Sequence, residues 1–137
     1  MRITFKQVTG LVFIALLMSG CASSKSRIME GGSQVELRSY QTRSYESESK
    51  LKAMRAVMAT LQDLGFVIDK ADDVIGIVSA TKLDGYALQM SVSVRERSSS
   101  VEVRANAQYN LQAVEDREPY QNFFTALDKA IFLDENL

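Results

Sequence analysis

The chain contains no histidine, one cysteine and one proline in 137 residues. Without an imidazole, the Ser-His-Asp and Cys-His arrangements of nucleophilic catalysis are excluded. Zinc sites that need Cys or His ligands are excluded with them. Cys21 has no partner for an intramolecular disulfide. Charge of one sign is also missing, because 16 basic residues stand against 17 acidic ones for a formal net charge of -1. Such a chain offers no positive field to hold nucleic acid. The N-terminal apolar run, Leu11 to Met18, is eight residues long, whereas a helix needs ~20 apolar residues to cross a bilayer. What is present is the balance of an ordinary globular protein, 46% hydrophobic and 24% charged, at the length of one domain.

Arg2 and Lys6 precede that apolar run, and together they have the form of a secretory signal peptide. The run ends in Met18-Ser19-Gly20-Cys21. Ser19 and Gly20 leave room for a peptidase to reach the backbone, and the Cys21 thiol can form a thioether. In these residues the chain resembles a bacterial lipoprotein precursor, with Met18 where leucine is commoner. The resemblance implies that residues 1–20 are removed as signal peptide. Cys21 then carries a diacylglyceryl group, and its new amino terminus is acylated, for example with palmitate. The alternative is a plain signal peptide with an incidental cysteine. Each buried methylene contributes ~0.8 kcal/mol, so two or three chains make a stable membrane anchor. Ala22 and Ser23 follow the cysteine where an aspartate would favour the inner membrane. The same resemblance therefore implies an outer-membrane location facing the periplasm. Loss of residues 1–20 removes Arg2, Lys6 and no acid, leaving 14 basic and 17 acidic residues, a net charge of -3.

Residues 21–34 read as the lipidated cysteine and a flexible tether rich in Ser and Gly. Residues 35–137 read as a single α+β domain. Val35 to Arg43 has the composition of an edge strand, open to strand addition by a partner or protected by its arginines. Leu51, Met54, Val57, Met58, Leu61 and Leu64 recur at helical steps, with Ser44 or Ser47 as cap and Gly65 as stop. Phe66 to Ile68 reads as a short strand, Ala71 to Asp73 as a turn, and Val74 to Lys82 as a covered strand. Asp84-Gly85 signals a hairpin. Leu88, Met90, Val92 and Val94 alternate with polar residues, as do Val101, Val103, Ala105 and Ala107. Pro119 opens a last helix with a stripe of Tyr120, Phe123, Phe124, Leu127 and Ile131. The expected fold is α+β, a two-layer sandwich in the order β-α-β-β-β-β-α. Its two helices lie on one face of a mainly antiparallel sheet.

Candidate chemistry is sparse. The pair Ser49-Lys50 has no motif around it, and the acids Asp72-Asp73 and Glu115-Asp116 read as turn residues. Asp69, Asp72 and Asp73 lack the glycine and distal glutamate of a twelve-residue calcium loop. Gly31-Gly32 is not followed by the Lys-Ser/Thr of a phosphate loop. No catalytic residue, metal site or cofactor is expected. Helices on one side leave Ser91, Ser93, Arg95, Glu102, Arg104, Asn106 and Gln108 on the other. That face is either solvated or a docking platform, since arginine is enriched at interfaces.

The body resembles the small α+β domains of proteobacterial outer-membrane lipoproteins, some of which belong to envelope machines. The resemblance covers the architecture of residues 35–133 and implies a compartment, with no active site. The resulting expectation is a non-enzymatic accessory or scaffold subunit of an envelope complex, with an envelope protein as partner. A second expectation is a lipid-, glycan- or small-ligand-binding lipoprotein, its cleft lined by Met54, Met58, Met90 and Phe124.

Overall fold

The computed structural model describes residues 26–46, 49–85 and 87–135, in a chain that divides into two units, Met1–Gln34 and Val35–Leu137. Residues 1–25, including Cys21 and the signal-peptide residues, lie outside the described part. The elements are α1 (Ser26–Gln41), β1 (Thr42–Glu46), α2 (Lys50–Asp63), β2 (Val67–Asp72), β3 (Ile77–Leu83), β4 (Ala87–Glu96), β5 (Ser100–Tyr109), β6 (Gln112–Ala113) and α3 (Glu118–Glu135). The strands form one antiparallel sheet in the order β1-β5-β4-β3-β2, with β6 also paired to β5. This is the α+β fold expected, with α2 and α3 packed on each other and on one face of the sheet.

Alternation decides which face is covered. Val78 and Ala80 of β3, Met90, Val92 and Val94 of β4, and Val101, Val103, Ala105 and Ala107 of β5 are all buried. Against them stand Ala53, Met54, Val57 and Leu61 of α2 and Tyr120, Phe123, Phe124, Leu127 and Ile131 of α3. Both helical stripes therefore fall where their 3.6-residue period places them. The Ser49 hydroxyl caps α2 by accepting from the Lys52 N–H. Ser44 lies in β1 instead, and Ser47 is outside the described residues.

Three expectations need correction. Val35 to Arg43 is not a strand: α1 runs through Gln41, and the edge strand starts at Thr42. Tyr40, which strand addition would have used, is therefore a helical residue. Helical backbone also begins at Ser26, where a flexible tether was expected to continue to Gln34. The turn expected at Ala71 to Asp73 falls at residues 73–76, so Ala71 and Asp72 belong to β2. Asp72 sets that turn, its carboxylate accepting from the Ile75 N–H and its carbonyl from the Gly76 N–H.

The edge of β5 is shared. β1 pairs with Ser100 to Arg104 and β6 with Gln108 and Tyr109. Between them the buried Tyr120 hydroxyl accepts from the Ala107 N–H (3.2 Å) and donates to the Val114 carbonyl (2.7 Å). It also accepts from the Gln41 side-chain amide (3.1 Å), which ties the end of α1 to the same point. The Tyr120 phenol, with the Val114 N–H that donates to the Ala107 carbonyl (2.9 Å), closes the interval that neither short strand covers.

Candidate functional site

Residues opposite one another in an antiparallel pair project to the same face, so the register assigns every strand side chain. Arg104 lies between Thr42 and Ser93, and Ser93 lies beside Ile77, which faces Asp72. Asn106 lies beside Ser91, Ser79 and Lys70, while Gln108 lies beside Gln89, Thr81 and Val67. Arg95 is opposite Glu102. Ser91, Ser93, Arg95, Glu102, Arg104, Asn106 and Gln108 therefore share the face opposite the helices.

Several side chains of this face pair with one another or with a neighbour. Gln108 donates to Gln89 (2.6 Å), Thr81 donates to Asp69 (2.6 Å), and Arg97 donates to Glu102 (3.0 Å). The Nε of Arg104 is buried and has no hydrogen-bond partner among the described residues.

An apolar component of this face was not expected from the sequence. Val74 to Lys82 reads as a covered strand, yet Ile77 and Leu83 point to the open side and are 38% and 82% exposed. Val67 joins them from β2 at 70% exposure. The sole signal was their odd spacing relative to Val78 and Ala80, which becomes visible once the turn at Gly76 fixes the register.

Other candidate groups have structural partners. Ser49 caps a helix, and the Lys50 ammonium donates to the Val74 carbonyl. Asp69 and Asp72 accept from Thr81 and Ile75, while Asp116 caps α3 at the Glu118 N–H. At the β1 edge, Arg43 and Tyr45 both bond Asp128 of α3, and the Arg43 guanidinium lies over Phe124. Burial, reinforced by the Asp128 carboxylate, raises the Tyr45 phenol above its ordinary range. Met54, Met90 and Phe124 are packed in the core and Met58 lies against it, so the cleft expected among them does not form. Met90 lines a cavity at one end of the sandwich.

Among the described residues, no group of three or more His, Cys, Asp or Glu side chains is placed to hold a metal ion. No described helix is long and apolar enough to cross a membrane. No protein-family model matches the chain, and no curated protein matches it.

Proposed function

We propose that the chain is a lipid-anchored outer-membrane lipoprotein facing the periplasm. In this reading it is a non-enzymatic accessory or scaffold subunit of an envelope complex. The anchor rests on the resemblance of Met18-Ser19-Gly20-Cys21 to a lipoprotein processing site, with acyl chains on Cys21 as the membrane contact. The observation that carries the docking role is the composition of the uncovered sheet face. It combines Arg95 and Arg104 with the exposed apolar residues Val67, Ile77 and Leu83. A merely solvated face has no need of three exposed apolar side chains on the same side of the sheet as two arginines. A partner that covers this face removes the apolar area from water and gives the guanidinium groups of Arg95 and Arg104 acceptors to pair with.

The double variant Arg95→Ala/Arg104→Ala tests the role. Both side chains lie outside the core, so the melting temperature is expected to stay close to that of the parent chain. Recovery of the envelope partner with the affinity-tagged, membrane-extracted chain is expected to fall at least tenfold. Unchanged recovery would remove this face from the account.

A further inference from the structure

A cavity lies on the helix side of the sheet, away from the docking face. Its volume is about 350 Å³, within the range of small-ligand sites and enough for roughly ten waters at ~30 Å³ each. The end of α2, the β3–β4 hairpin and the start of α3 frame it. The inner wall is apolar and aromatic, formed by Phe66, Leu88, Met90 and Tyr109, of which Phe66 and Met90 are buried. Three carboxylates, Asp84, Asp116 and Glu118, line the cavity with them. Lys82 is the one cation among the described lining residues, and its stem lies against Gly65, about 3.6 Å from where a side chain on that glycine would begin.

We propose that this cavity binds a small organic cation with an apolar body. Three carboxylates against one ammonium leave the lining net negative, which repels anions and attracts an ammonium. The wall that contains Phe66, Leu88 and Met90 takes the hydrocarbon part. The recognition elements thus sit at two levels, charge at the rim and hydrocarbon below. This inference does not depend on the docking role, because none of the cavity residues belongs to the open-face set.

The chain has no tryptophan, so Tyr109→Trp places a lone fluorophore in the cavity wall. The full chain, held in nanodiscs of zwitterionic lipid with empty discs as blank, is titrated with 2-phenylethylammonium and separately with 3-phenylpropanoate. A saturable fluorescence change is expected for the cation, with the anion at least tenfold weaker. Adding Asp84→Asn and Glu118→Gln is expected to raise the Kd for the cation at least tenfold while the fold, read by circular dichroism, persists. Absence of saturation, or equal responses to cation and anion, would overturn the proposal. Should Tyr109→Trp disturb folding, calorimetric titration of the unsubstituted chain with the same two probes decides between the same outcomes.

Discussion

Tyr120→Phe is expected to destabilise the domain by about 3 kcal/mol, although the ring and its packing are retained. The hydroxyl it removes is buried and makes three hydrogen bonds, to the Ala107 N–H, the Val114 carbonyl and the Gln41 amide. Their partners would be left unpaired in a site closed by the core, and each buried orphan costs about 1–3 kcal/mol before relaxation. The loss is concentrated where the sheet edge is weakest, between the ends of β1 and β6. Urea unfolding should show a lower midpoint with an unchanged slope. The half-buried Tyr40 makes one hydroxyl bond, to the Glu115 carbonyl, so Tyr40→Phe should cost under ~1 kcal/mol. If the two variants proved equally mild, the Tyr120 hydroxyl would not be the closure argued above.

Gly76→Ala is expected to cost ~3 kcal/mol or more, by adding two penalties. Gly76 has φ +72°, a conformation that an L side chain adopts with strain. Its added Cβ would also stand 2.3 Å from the Val94 carbonyl oxygen and 2.8 Å from Lys50 Cε. The lysine stem can move, but the carbonyl belongs to β4 backbone beside the Val94 N–H that bonds Gly76. Gly85 provides the internal control. It has φ +76° with nothing within 4 Å of an added Cβ, so Gly85→Ala should cost only ~1 kcal/mol from backbone strain. Thermal melts of the two variants separate strain from collision. A Gly76→Ala midpoint equal to that of Gly85→Ala would mean that β4 yields freely.

Legibility followed the strength of each local pattern. The stripes of α2 and α3 and the alternation of β4 and β5 were readable because each buries a full apolar face. The start of the domain was not. In the part of α1 beyond Gln34, Leu37 and Gln41 are buried and Tyr40 is partly so. That spacing is helical, but one member is polar, and Val35, Tyr40 and Thr42 are residues that favour strands. The two residues of β6 are held by pairing with Gln108 and Tyr109, a tertiary effect without a local signature.

The site divides in the same way. Alternation alone put Ser91, Ser93, Arg95, Glu102, Arg104, Asn106 and Gln108 on the open face. The apolar members Val67, Ile77 and Leu83 depended on β3 register, which the Asp72 to Gly76 turn decides. Methionines at helical spacing suggested a cleft that close packing fills. The cavity lies instead at the end of the sandwich, where three connecting segments converge and no periodicity reports it.

The central claim, an anchored subunit that docks through its open face, is tested most directly by site-specific photo-crosslinking in native membranes. One probe replaces the exposed Asn106 on the open face, and a control probe replaces the exposed Lys129 on α3. The adducts are identified by mass spectrometry, together with the mass of the peptide that carries Cys21. The account predicts an acylated Cys21 peptide and one dominant envelope-protein adduct from position 106, with none from position 129. An unmodified Cys21, or no protein adduct from position 106, would contradict it.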